Sequence, residues 1–113
     1  MNQSKEPVFL NSIELKGIVG QSAVNRVGDT RVCRFSVCVE NCFTDRSGTP
    51  VVECVWFNVT AWEGKNIAPL ESITKNVNIH VKGRVRSYRY TTADGIERCG
   101  WEVFAKEVKV LDA

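Results

Sequence analysis

The chain has no long apolar run, a single histidine, a single methionine and three prolines among 113 residues. Nothing approaches the roughly 18 consecutive apolar residues that a membrane-spanning helix needs, so such a helix is excluded. The start, Met1-Asn-Gln-Ser-Lys-Glu-Pro, lacks the apolar segment of a secretory signal, and a cytoplasmic protein is expected. The lone histidine, His80, has no second histidine or positioned cysteine in its motif, so it reads as a satisfied surface residue rather than half of a catalytic pair. No P-loop, paired-carboxylate motif or Ser-His-Asp spacing occurs, and no catalytic residue is nominated. Charge of one sign is also scarce: 15 Lys and Arg stand against 13 Asp and Glu, a net charge of +2. Any affinity for a polyanion must therefore come from local arrangement, not from the total.

Cysteine is present, but not in a metal pattern. Cys33, Cys38 and Cys42 follow a C-x4-C-x3-C spacing, with Cys54 and Cys99 beyond, and no C-x-x-C pair occurs. Neither a metal site nor a cofactor is expected. The count of five is odd and no export signal precedes it, so free thiols in a reducing compartment are the expectation. A hydrophobic content of 43% with 25% charged residues can support a packed core, which excludes disorder for most of the chain. The length suits one domain. The reading places a flexible segment at 1–9 and the domain at 10–112.

What the sequence does have is alternation. Ile13 and Leu15 alternate with Glu14 and Lys16 before a bend punctuated by Gly17 and Gly20. Residues 23–29 read as a short arm and a Val-Gly-Asp turn. Phe35, Val37 and Val39 face one way and Arg34, Ser36 and Glu40 the other. Thr44-Asp-Arg-Ser-Gly-Thr-Pro is a hairpin connection. In residues 51–62, Val55, Phe57, Val59 and Ala61 share a face. Ile67, Leu70 and Ile73 recur at spacing three, predicting a short helix that Pro69 confines to its first turn. Residues 76–90 return to strand with Val77, Ile79, Val81 and Val85 inward. Asp94-Gly95 marks a hairpin. Residues 97–111 form the last strand, with a slip near Lys106-Glu107 that predicts a bulge. Three strands, one short helix and two strands make an all-β, five-stranded OB-fold, a Greek-key barrel with the helix between the third and fourth strands.

The faces turned away from the core carry unusual residues. Lys82, Arg84, Arg86, Tyr88 and Tyr90 fall at period two on the fourth strand, opposite its valines. Trp56, Asn58, Thr60 and Trp62 do so on the third. Two Trp and two Tyr on a barrel exterior expose much apolar area. Cations interleaved with rings suit flat bases joined by phosphates, because rings stack the bases and Lys and Arg pair with the backbone. The competing reading is burial of these rings at a subunit interface, where aromatics are enriched. Arg84 and Arg86 fit a dry interface poorly, which favours strand binding for the stripe as a whole. Trp101 shares parity with Val103 and is expected in the core or an interface.

These segments resemble the bacterial single-stranded DNA-binding proteins. Asn11-Ser-Ile-Glu-Leu-Lys-Gly-Ile-Val-Gly is similar to that family's opening strand, and Phe35-Ser-Val-Cys-Val-Glu-Asn to its second. Val55-Trp-Phe-Asn-Val-Thr-Ala-Trp-Glu-Gly-Lys resembles its third-strand segment, with one extra residue before Gly64. Val77-Asn-Ile-His-Val-Lys-Gly-Arg-Val-Arg-Ser-Tyr-Arg-Tyr resembles its fourth. The likeness runs from about residue 10 to 111 in register. It implies that base-stacking aromatics fall on Phe43, Trp56, Trp62 and Tyr90, and phosphate-contacting cations on Lys65, Lys75 and Arg86. Asn58 and Tyr88 stand where the family carries further basic residues, which implies fewer charge contacts. Phe43 has inward parity and is freed only if its hairpin leaves the barrel. The resemblance also implies a homo-oligomer, a tetramer or else a dimer, binding single-stranded DNA in the nucleoid during replication, recombination and repair. The family usually continues into a flexible linker and an acidic tail that recruits replication and repair proteins. Here the resemblance ends at Val110-Leu-Asp-Ala, so the expectation is a trimmed chain or a tailless form. A tailless form is similar to the primosomal replication protein N branch, which chiefly holds protein partners, or to a short form from a mobile element or phage.

Overall fold

A computed structural model describes residues 8–111. Five strands form: β1 (Ile13–Val27), β2 (Thr30–Thr44), β3 (Pro50–Trp62), β4 (Asn78–Thr91) and β5 (Glu97–Leu111). They close into a barrel in the order β1-β2-β3-β5-β4, antiparallel except for the short β3–β5 contact at Val59 and Val103. This is the five-stranded OB-fold plan. Of the expected N-terminal segment, residues 1–7 lie outside the described residues, while Val8 and Phe9 are exposed. Among the described residues no helix is long and apolar enough to cross a membrane.

Alternation is realised as expected along the barrel wall. Phe35, Val37, Val59, Ala61, Ile79 and Val81 are all buried inside it with Leu15, Val19 and Val103. Apart from Ala61, each such side chain contributes roughly 1.5–3 kcal/mol of transfer free energy. The bulge expected near Lys106 is present, since Lys82 pairs with Glu107 and Gly83 with Ala105, leaving Lys106 unmatched. A second bulge interrupts β1, where Val19 pairs with Val37 and Ser22 with Phe35, so Gly20 and Gln21 together oppose Ser36. Its freed amide is satisfied: Gln21 N–H donates to Ser36 Oγ at 3.1 Å. Residues 23–27, read as an arm, continue β1 into a hairpin with β2 through the Gly28-Asp29 turn.

Four expectations are refined or corrected. The short helix between β3 and β4 is only a 3-10 turn, Leu70–Ser72. Spacing three is the period of that tighter helix. It does not extend backward because Asn66 and Ala68 give their backbone groups to Val108 of β5 instead. Leu70 and Ile73 still plug the barrel and are fully buried. Second, Cys38 and Cys54 form a disulfide rather than free thiols. The register explains it: Cys38 opposes Trp56 and Glu40 opposes Cys54, so the two are diagonal neighbours on one face with Cα atoms 6.0 Å apart. Cys33, Cys42 and Cys99 are free, and burial pushes the Cys33 thiol up. Third, Val55 is exposed, because β2 and β3 pair out to Thr44 and Pro50 in a hairpin that projects past the core. Fourth, Trp101, expected in the core or an interface, is 65% exposed in the single chain, which removes the core alternative and leaves the interface one.

Candidate nucleic-acid interface

Parity carries Trp56, Asn58, Thr60 and Trp62 outward on β3, and Lys82, Arg84, Arg86, Tyr88 and Tyr90 outward on β4. The barrel order inserts β5 between these two strands. Its outward residues therefore join the stripes: Phe104 opposes Arg84, Glu102 opposes Arg86, Gly100 opposes Tyr88 and Arg98 opposes Tyr90.

Glu102 organises the middle of this face. Thr60 Oγ1 donates to Glu102 Oε1 at 2.6 Å, and Arg86 Nε donates to Glu102 Oε2 at 2.8 Å. Partial burial pushes the Glu102 carboxyl up, but the Thr60 hydroxyl and the Arg86 guanidinium outweigh it and hold the group below its ordinary 4.5. Arg86 is thus oriented by a carboxylate while its other nitrogens remain free of Glu102. Beneath it lies the Phe104 ring, with the guanidinium carbons of Arg86 and Arg84 at 4.3 and 4.9 Å from the ring centre. Both distances fall in the range of cation–π attraction. Two cations are in this way held against the barrel wall.

Two grooves lie side by side on this wall. One, of about 580 Å³, is lined by Gln21, Arg34, Ser36, Asn58, Thr60, Tyr88 and Glu102. The other, of about 600 Å³ and more apolar, is lined by Ile18, Gly20, Cys38, Trp56, Lys75 and Asn76. Gln21 and Ser36 line both. Trp56 is 59% exposed and Tyr88 43%. Tyr90 continues the line onto the β4–β5 hairpin, its ring centre 5.9 Å from that of Tyr88 and tilted by 37°.

The sequence-nominated residues divide accordingly. Trp56 and Lys75 share the apolar groove and Tyr88 lines the polar one; Arg86 bonds to that groove's Glu102, Arg84 shares the Phe104 ring with Arg86 and Tyr90 neighbours Tyr88, but none of these three lines either groove. Trp62 is outward but half-buried at the end of β3, opposite Val32, and lines neither groove. Lys65 lines a separate groove with Asn66, Ile67, Glu107 and Lys109, and Lys82 opposes Glu107 nearby. Phe43 is exposed because its hairpin leaves the barrel, but it has the parity of Val37, opposite to Trp56. His80 is satisfied by Glu14, Nε2 to Oε2 at 2.6 Å. Glu102, Phe104, Gly20 and Gly100 escaped the sequence reading. Counting outward from the Asp94-Gly95 turn would have found three of them, since an uninterrupted hairpin there sets Gly100 against Tyr88 and Glu102 against Arg86.

A closed OB-type barrel thus carries exposed rings, cations and two open grooves on its outer wall. The chain belongs to the single-strand binding protein family, which matches residues 10–111. It is 31% identical over 104 residues to the single-stranded DNA-binding protein of Neisseria meningitidis, covering 90% of this chain and 60% of that protein. The chain thus spans about three fifths of the curated relatives it matches. Its fold is similar to that of the Plasmodium falciparum SSB in complex with ssDNA, with a TM-score of 0.73 at 18% identity, covering 99% of this chain and 100% of that one. It is also similar to the small single-stranded DNA-binding protein of Streptomyces coelicolor, with a TM-score of 0.68 at 17% identity, covering 90% and 95%.

Proposed function

We propose that this chain binds single-stranded DNA without sequence preference and without catalysis. Trp56, Tyr88 and Tyr90 stack bases, and Lys75, Arg84 and Arg86 hold the phosphates. Stacking uses the π-face common to all bases, so it carries little sequence information. The observation that carries this reading is the pair of neighbouring grooves, one lined by exposed Trp56 and Lys75 and the other by Tyr88 and by Glu102, which holds Arg86. Phe43, Trp62, Lys65 and Lys82 sit outside these two grooves, and we assign them to a strand path that continues around the barrel. The Neisseria relative's name and family membership support the same activity.

We further read the protein as a homo-oligomer, a tetramer before a dimer, acting in the cytoplasm on nucleoid DNA during replication, recombination and repair. Trp101, 65% exposed on the parity opposite to Tyr88, supports assembly because a large exposed indole gains from burial against another subunit. The test is titration of a labelled dT oligomer against a duplex of equal length, with the salt series included. Tight binding of the single strand alone, weakening linearly in log salt, supports the reading. Equal binding of both, or of neither, contradicts it.

A further inference from the structure

Two strand glycines lie directly under the two aromatic residues that line the grooves. Gly100 opposes Tyr88 across β4–β5. A Cβ on Gly100 would stand 2.6 Å from Tyr88 Cζ and 2.7 Å from its hydroxyl oxygen. A Cβ on Gly20 would stand 2.5 Å from Trp56 Cζ3, 2.8 Å from its Cη2 and 2.9 Å from Ser36 Oγ. Both distances are far inside van der Waals contact, so each ring lies on space that only a missing side chain leaves open.

Neither glycine is required by its backbone. The glycines with positive φ are Gly28, Gly48 and Gly95, all in turns. Gly17 and Gly83 differ again, because a Cβ there would strike the backbone carbonyls of Cys38 and Phe104. At Gly100 the obstructed atoms are the far end of a mobile side chain. Within a strand, glycine weakens pairing and contributes no packing, so it needs a reason to be there. The ring is the reason. The Tyr88 ring covers the glycine, with Cζ, the hydroxyl oxygen and Cε2 at 2.6, 2.7 and 2.9 Å from the Cβ position.

We propose that Gly100 is a positioning residue for single-strand binding, holding the Tyr88 ring against the barrel wall, with Gly20 doing the same for Trp56. The inference rests on the base-stacking reading above and adds its geometric cause. It also gives Tyr88, which stands where the resemblance implies a cation, a role as a stacking platform in place of a charge contact.

A double-mutant cycle on the full chain tests it, with a dT oligomer at fixed salt and circular dichroism and Tm recorded for every variant. Tyr88→Ala is expected to weaken binding by roughly 5- to 150-fold, the loss of one stacked base. Gly100→Ala is expected to weaken it at least about 5-fold with the fold intact, because the added methyl displaces only the ring. In the Tyr88→Ala background, Gly100→Ala should change nothing further. Unaltered binding by Gly100→Ala, equal loss in both backgrounds, or unfolding of Gly100→Ala each overturns the proposal. If Tyr88→Ala binds as the parent does, the stacking role of Tyr88 fails as well, which separates the two readings. Gly20→Ala measured with and without Trp56→Ala repeats the cycle at the second ring, with Ser36→Ala as the shared background because the methyl would also meet the Ser36 hydroxyl.

Discussion

Arg86 and Glu102 face each other across β4 and β5, Nε to Oε2 at 2.8 Å, with Thr60 completing the carboxylate's bonds from β3. Three strands thereby meet on one partly buried acid in the middle of a face proposed to bind a polyanion. Glu102 cancels part of a positive charge while fixing where that charge sits. Freeing Arg86 should therefore change salt dependence. Glu102→Gln is expected to steepen the slope of log K against log salt by up to about 0.7, the value for one additional phosphate contact on a single strand. Titrations at four salt concentrations measure it.

The same pair sets an acid-side dependence of stability. The folded pKa of Glu102 lies below its ordinary 4.5. A depressed carboxyl stabilises the fold above its unfolded pKa, and that contribution is lost as pH falls through the folded value. Glu102→Gln should therefore lower Tm near neutrality, corresponding to about 1 kcal/mol for a charge-assisted bond that is partly solvated. The gap between variant and parent should close as pH drops below about 4.5. Thermal melts from pH 7 to pH 3 check the sign.

Lys75 and Lys65 separate the two neighbouring grooves from the rest of the surface. Lys75 lines the groove with Trp56, whereas Lys65 lines one shared with Glu107. Lys75→Ala should reduce the salt slope by about 0.7. Lys65→Ala should reduce it less for a short oligomer that fills only the two neighbouring grooves, and equally for a long one that continues around the barrel. Paired titrations with short and long dT oligomers distinguish the two.

Leu70 and Ile73 close the barrel without touching the proposed site. Both are fully buried. Leu70→Ala should cost about 2–5 kcal/mol of stability, the usual range for a core leucine. Affinity per folded molecule should be unchanged. Denaturant unfolding followed by binding under native conditions reports each quantity separately.

Much of this was legible in the chain because period-two patterning is a local signal. Val37, Val59, Ile79 and Val81 declare the inside, and Trp56, Arg86 and Tyr88 the outside, without knowledge of any partner strand. The Asp94-Gly95 turn and the Lys106 bulge were local too. What escaped needed pairing between distant residues. The Cys38–Cys54 bond depends on β2–β3 register, and the exposure of Val55 depends on how far that hairpin outruns the barrel. The crossover's 3-10 turn depends on Asn66 and Ala68 bonding to Val108, some 40 positions away. Glu102 and Gly100 carry meaning only once β5 lies beside β4. Trp62 shows the limit of parity: it faces outward as the pattern says, yet its place at the end of β3 leaves it half-buried and beyond both grooves.

Trp56 is the residue on which the whole scheme turns, and its fluorescence can be isolated. In a Trp62→Phe, Trp101→Phe variant the remaining indole emission comes from the groove shared with Lys75. Addition of poly-dT should quench that emission strongly, high salt should restore it, and Trp56→Ala in the parent should weaken binding by about 1–3 kcal/mol. Emission indifferent to poly-dT in a variant that still folds and binds the strand would place the DNA elsewhere on the barrel and contradict the site described here.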